Sequence, residues 1–263
     1  MTSELLFKNK FEFNFKGTTS VFKKLHLNMK WTIYVLISFC VGLISCGRTS
    51  QEYVLSQNDE QIVDNSSIDS ALKSESNKID LKTAEEYVER GILKDEHLDH
   101  NGAIEDFNKA LELDSTYARA YNNRGISKGY LLDYIGSIAD FNKAIVIDPT
   151  YTSAFNNRGI SKAYLFDFRG AILDHTEAIK IDLEFAESYY YRATVKCKLH
   201  DYVGAVADFT ISIELNPNYA EAYYDRGVAK HILQQKEASC LDFSKAGELG
   251  LSQAYDEIRK FCN

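Results

Sequence analysis

Proline is nearly missing from these 263 residues: Pro149 and Pro217 are the only two. Proline locks φ and removes a backbone donor, so its scarcity leaves long stretches free to run as helix. The five cysteines fall at irregular spacing, with no CxxC pair and no Cys/His cluster, which argues against a zinc site and a disulfide framework. Cys197, Cys240 and Cys262 read as small apolar helix residues. A Cys240–Cys262 bridge is the alternative that an oxidising compartment would allow. A dense basic face is also lacking. The chain carries −8 overall, and residues 1–45 hold six lysines against Glu4 and Glu12, a net of +4 that leaves −12 for the remainder. An acidic body repels a phosphate backbone, so no nucleic-acid partner is expected. No nucleophile elbow, phosphate loop or zinc motif is present. The chain therefore reads as no enzyme, with no cofactor and no metal.

No apolar run reaches the roughly 20 residues that span a bilayer as a helix. The longest is Trp31–Ser45, WTIYVLISFCVGLIS, 15 residues behind Lys30. A basic flank, an apolar segment of this length and a small terminal residue describe a secretory signal, here 1–45. Leu43-Ile44-Ser45-Cys46 resembles the bacterial lipobox. That resemblance implies lipidation of Cys46, whose thiol would take a diacylglycerol before cleavage on its amino side, and an address in the cell envelope, on the periplasmic or surface side of an outer membrane. An uncleaved signal anchor and ordinary signal cleavage are the alternatives. Met29-Lys30 would by itself begin such a signal, so 1–28 reads as an over-long start.

Residues 46–83 follow as a lipid-attached linker, rich in Ser, Asp, Asn and Gln with little apolar periodicity. Such composition buries too little apolar surface to offset its ordering entropy.

From Ala84 the sequence repeats at a period of 34, in blocks 84–117, 118–151, 152–185, 186–219 and 220–253, with a closing segment 254–263. The eighth place is small (Gly91, Gly125, Gly159, Ala193, Gly227). The twenty-fourth is large and apolar (Phe107, Phe141, Phe209, Phe243) except for His175, which reads as a packed histidine. The twenty-seventh is small again (Ala110, Ala144, Ala178, Ser212, Ala246), and an aromatic stands fourth (Tyr87, Tyr121, Phe155, Tyr189, Tyr223). An Asp-x-x-Gly turn recurs at Asp99, Asp133, Asp167 and Asp201, where the Asp can cap a following helix. His97-Leu98-Asp99-His100 belongs to this turn and not to a metal site.

These positions resemble the tetratricopeptide repeat over residues 84–263. The resemblance implies an all-α solenoid of five helical hairpins with a C-terminal capping helix, working as a protein- or peptide-binding scaffold. Family positions two, five, nine and twelve line the groove, which singles out Asn122, Asn156, Tyr190 and Tyr224 at position five as partner-binding candidates. The basic clamp that some family members use for chaperone carboxylates is missing, since block two offers Asn122 and Ile126 and block four Glu187 and Tyr191.

One recurrence is not generic to the family: the seventh place is always Arg (Arg90, Arg124, Arg158, Arg192, Arg226) and the twenty-third always Asp (Asp106, Asp140, Asp174, Asp208, Asp242). Five paired replacements suggest an ion pair inside each hairpin, the alternative being that both groups face water. The function expected is a membrane-anchored adaptor. An accessory to an envelope enzyme or carbohydrate-handling complex, or a structural spacer, are the rival readings. Partner identity and oligomeric state are not written in the sequence.

Overall fold

The computed structural model describes residues 83–262, and the expectations for the signal, Cys46 and the linker before Thr83 lie outside them. Eleven helices and no strand occur among the described residues. The first helices of the five hairpins are α1 (Ala84–Glu96), α3 (Ala118–Tyr130), α5 (Thr152–Tyr164), α7 (Ala186–Lys198) and α9 (Ala220–Ile232). Their partners are α2 (His100–Leu113), α4 (Tyr134–Ile147), α6 (Phe168–Ile181), α8 (Tyr202–Leu215) and α10 (Lys236–Glu248), and α11 (Ala254–Phe261) closes the series. The architecture is a TPR solenoid of five hairpins with a capping helix.

Local chemistry sets the boundaries. Thr83, the last residue assigned to the linker, caps α1 in a reciprocal box: its Oγ1 accepts from the Glu86 N–H at 3.1 Å, and Glu86 Oε2 accepts from the Thr83 N–H at 2.9 Å. At α2, α4, α6 and α8 the caps are Asp99, Asp133, Asp167 and Asp201, each accepting from the N–H of the glycine three residues on at 2.9–3.1 Å. A Cβ on those glycines would run into the capping carboxylate, which explains why Asp and Gly recur together. Gln235 makes no such bond, so α10 starts without a side-chain cap.

Small against large organises each hairpin. A Cβ on Gly91, Gly125 or Gly227 would come within 2.6–2.8 Å of the Phe107, Phe141 or Phe243 ring, so glycine at place eight admits the phenylalanine at place twenty-four. Those phenylalanines and Phe209 are fully buried and form the core between helices. Successive first helices approach one another more closely than successive second helices do, so the first helices lie on the inner side of the array.

One expectation changes at the C-terminal end. Cys240 and Cys262 are not free apolar residues; they form a disulfide with Cα atoms 5.8 Å apart. The cap α11 folds back on α10, and its last turn brings Cys262 to Cys240, a proximity that linear spacing does not reveal. Cys197 is free and buried. Ala254, Ile258, Phe261 and Cys262 cover the Phe243 end of the core, whereas Tyr255 is largely exposed. An array needs this cover because its last hairpin has no successor.

Candidate binding face and its polar supports

Every Arg at place seven meets the Asp at place twenty-three. Arg90 donates to Asp106 through Nε at 2.8 Å and Nη2 at 2.6 Å. The same two-pronged contact joins Arg124 to Asp140, Arg158 to Asp174, Arg192 to Asp208 and Arg226 to Asp242. Sequence reading missed the third member. One turn beyond each Arg, Lys94, Lys128, Lys162, Lys196 and Lys230 place Nζ 2.7–2.8 Å from the second oxygen of the same buried aspartates. Lys recurs at place eleven in all five blocks, so the signal was available.

The guanidinium does two further jobs. It lies over the aromatic at place four, 5.3–5.6 Å from the ring centroid in every hairpin. Its Nη1 also reaches the preceding hairpin: Arg124 donates to Asn108 and Arg158 to Asn142 at 2.7 Å, while Arg192 and Arg226 donate to Thr176 and Thr210 at 3.2 and 3.1 Å. Each of these four arginines thus ties its own two helices together and fixes them against the neighbour.

The position-five candidates require correction. Asn122, Asn156 and Tyr190 are buried between successive first helices, where no partner could touch them. Asn122 Oδ1 accepts from Asn157 Nδ2 at 3.2 Å. Asn156 Oδ1 accepts from Ser188 Oγ at 3.1 Å and stands 3.0 Å from His175 Nδ1. The Tyr190 hydroxyl donates to buried Asp225 at 2.9 Å. Tyr224 is half-buried and tilted against Phe243, 5.7 Å between ring centroids, in the cluster under the cap. In the first three of these, place five is turned toward the next first helix, where Asn157, Ser188 and Asp225 meet it.

Places two, six, nine and thirteen are spaced four, three and four apart, so they form one helical stripe. This stripe holds half-buried or exposed residues: Arg119, Asn123, Ile126 and Tyr130 on α3, and Ser153, Asn157, Ile160 and Tyr164 on α5. Carboxylates dominate its N-terminal end, with Glu85, Glu89 and Glu96 on α1, although Arg119 pairs with Glu89 at 2.5 Å; at the other end Glu187 and Glu221 on α7 and α9 share the stripe with Lys198. The middle mixes amides, isoleucines and tyrosines, with Arg119 as its one charged group.

At the outer end of the stripe, Asp95 accepts from Ser127 Oγ at 2.5 Å and pairs with His100 Nδ1 at 2.9 Å, while the His100 ring stacks on Tyr130 at 4.6 Å. Burial pushes the Asp95 carboxyl up, against the pull of the Ser127 and His100 hydrogen bonds. The carboxylate sits between serine and histidine, so His100 cannot take the serine proton, and the trio links two hairpins. Asp99 caps α2 and His97 Nδ1 lies 2.7 Å from the Leu93 carbonyl. Among the described residues no group of three or more His, Cys, Asp or Glu is placed to hold a metal.

His175 occupies the core place of the four phenylalanines and is wholly buried. An amide oxygen only accepts, so the ring proton is on Nδ1, facing Asn156, and Nε2 is a buried acceptor with no partner. Burial lowers its pKa to about 3, and the neutral ring packs beside Tyr191 with centroids 5.9 Å apart.

A family model described as TPR repeat matches residues 99–128. No curated protein matches the chain significantly. Among solved structures the chain is similar to YrrB, described as a TPR protein with an unusual peptide-binding site, at 21% identity and TM-score 0.53, covering 67% of this chain and 92% of that one. It is similar to MamA from Desulfovibrio magneticus RS-1 at 15% identity and TM-score 0.56, covering 65% and 96%. PilF from Pseudomonas aeruginosa gives 16% identity and TM-score 0.61, covering 64% and 76%. At these identities the likeness is one of fold.

Proposed function

We propose that this protein is a lipid-anchored scaffold of the cell envelope that binds an extended peptide or partner helix on the inner stripe of α1, α3, α5, α7 and α9. The observation that carries the reading is the division of labour along those helices. Polar side chains at place five are consumed between hairpins, while Asn123, Ile126, Tyr130, Asn157, Ile160 and Tyr164 repeat the same chemistry on two adjacent, partly accessible stripes. Apolar Ile and the Tyr rings supply contact area, and amides retain hydrogen-bonding capacity for a peptide backbone beyond their one internal bond. With carboxylates grouped at the α1 end, the ligand expected carries a basic residue there and apolar side chains that meet Ile126 and Ile160. YrrB offers a parallel in a described peptide-binding TPR protein.

Anchoring rests on the Leu43-Ile44-Ser45-Cys46 sequence behind an apolar segment. The Cys240–Cys262 disulfide supports an oxidising compartment. No helix among the described residues is long and apolar enough to cross a membrane. The test is site-specific photocrosslinking in intact cells from places 126 and 160, compared with place 122. Adducts from 126 that disappear in an Ile160→Glu chain, and adducts from 160 that disappear in an Ile126→Glu chain, are expected. Identical adducts from the buried residue 122, or adducts that survive both single substitutions, would sink the proposal.

A further inference from the structure

Each turn between a first and a second helix passes through one residue in the left-handed region: Leu98 (φ 62°), Leu132 (φ 65°), Phe166 (φ 61°), His200 (φ 62°) and Gln234 (φ 61°). A Cβ is strained there, and glycine would take the conformation freely. In the first three hairpins the strained residue is also a large apolar one turned out to water, with Leu98 64%, Leu132 53% and Phe166 67% exposed. Neither local backbone preference nor burial in this chain explains those three side chains. They have company on the same edge: Leu131 and Ile135 beside Leu132, Leu165 beside Phe166, and Leu199 with Val203 in the fourth turn. The result is a row of exposed aliphatic and aromatic tips along the edge where the first helices end.

The row has a direction. Place fifteen is apolar in the three hairpins nearest the N-terminus and polar, His200 and Gln234, in the two farthest from it. Chain enters the array at Thr83, at the start of α1, which is the opposite end of a helix about 20 Å long. The 36 residues between Cys46 and Thr83 have a contour of up to about 120 Å, enough to pass that length and leave the turn edge on the same surface as Cys46. The apolar end of the row is thus the end a membrane attachment would hold close to lipid.

We infer that the turn tips of the first three hairpins, Leu98, Leu132 and Phe166 foremost, seat the array on the interfacial region of a phospholipid bilayer. The inference rests on the anchored reading above. The three tips are uncharged, Asp99, Asp133 and Asp167 just behind them are occupied as helix caps, and the exposed Glu96 and Arg169 on the same edge are of opposite sign, so zwitterionic lipid suffices and the tip contact is an apolar one. Seating the turn edge leaves the inner stripe of first helices standing away from the surface, open to a partner.

The experiment uses the full chain, purified in detergent from membranes of an expressing bacterium and reconstituted into phosphatidylcholine vesicles with or without brominated acyl chains. The one tryptophan, Trp31, is changed to Phe, and single reporters are introduced as Leu132→Trp, Phe166→Trp and, on the opposite edge, Glu184→Trp. Bromine should quench the reporters at 132 and 166 by roughly twofold more than the one at 184, as tips lying at the acyl boundary require. A Phe166→Gly change, which relieves the left-handed backbone and keeps the fold, should lower the quenching at 132. Equal quenching at 132 and 184 with the chain still on the vesicles refutes tip seating and leaves the anchor intact. Failure to sediment with vesicles at all refutes both. A reporter at 132 that is shielded from water, is not quenched by the brominated lipid, and has an emission that depends on protein concentration means that a second copy covers the edge, and the membrane inference is then wrong.

Discussion

His175 gives the sharpest quantitative test, because one buried side chain makes the stability of the array depend on pH. In the folded chain the ring is wholly buried, is neutral, and takes a proton only near pH 3. In the unfolded chain an ordinary imidazole is protonated below about pH 6.5. The unfolded state therefore binds more protons between those values, so stability falls as pH drops from 6.5 toward 3. Between pH 7 and pH 5 the loss attributable to this group is roughly 2 kcal/mol. Asp174, Arg192 and Lys162 also act on the ring, but more weakly than burial. In His175→Phe the place regains the residue that Phe107, Phe141, Phe209 and Phe243 occupy elsewhere. The orphan Nε2 disappears, and Asn156 keeps the hydrogen bond from Ser188. Removing a buried unsatisfied acceptor should stabilise by about 1 kcal/mol or more at pH 7. Urea denaturation followed by two probes at pH 7 and pH 5, on both chains, reads the difference. The wild type should lose roughly 2 kcal/mol more than the variant over that interval. Asp95, whose raised pKa acts in the opposite sense, is present in both chains and cancels. Equal pH dependence in the two would refute the reasoning, since no other group differs.

Three further outcomes follow from the same geometry. Asp140→Ala strands Arg124 and Lys128 in a half-buried site and should cost about 3–5 kcal/mol, whereas replacing Arg124 and Asp140 together by leucine should cost less than the single change; urea titration of both variants measures this. Leu132→Gly, relieving a left-handed leucine, should raise the melting temperature by an amount equivalent to some tenths of a kcal/mol up to about 1, the remainder being lost to glycine's chain entropy. Reduction of Cys240–Cys262, separated by 22 residues, removes a constraint worth about 3 kcal/mol on a chain-entropy account; hydrogen exchange should speed up in 254–262 and leave α1 through α4 unchanged.

The parts of the fold that were legible are those encoded within one hairpin. A glycine at place eight facing a phenylalanine at place twenty-four, a capping Asp three residues before a Gly, and an Arg always accompanied by an Asp sixteen residues on can each be read from one chain because their spacing repeats. The Lys at place eleven obeyed the same logic and went unread, since lysine on a helix is ordinarily a solvated residue. Place five is different in kind. Whether Asn122 faces a ligand or the next helix depends on the angle between hairpins, which repeats in space but leaves no period in the sequence beyond the 34 already counted. The disulfide likewise needs the path of α11, and the left-handed turns carry Leu and Phe where glycine would have announced them.

The Asn pairs nevertheless held a clue to the inner face. Asn122-Asn123 and Asn156-Asn157 stand in near-identical helices, and two adjacent amides on a helix point about 100° apart, so both cannot serve the same surface. One must pack and one must look outward, and the first of each pair is the buried one. Buried amides bonded across α3, α5 and α7 fix the spacing of those helices, and fixed spacing is what a stripe of repeated Ile126 and Ile160 needs in order to meet an extended ligand in register. The polar residues withdrawn from the surface therefore act on binding through the geometry of the ones left on it, and Asn156→Leu should weaken peptide capture at 160 without removing any contact atom. An unchanged crosslinking yield at 160 in that variant would mean that the spacing is set by the Arg–Asp–Lys trios alone.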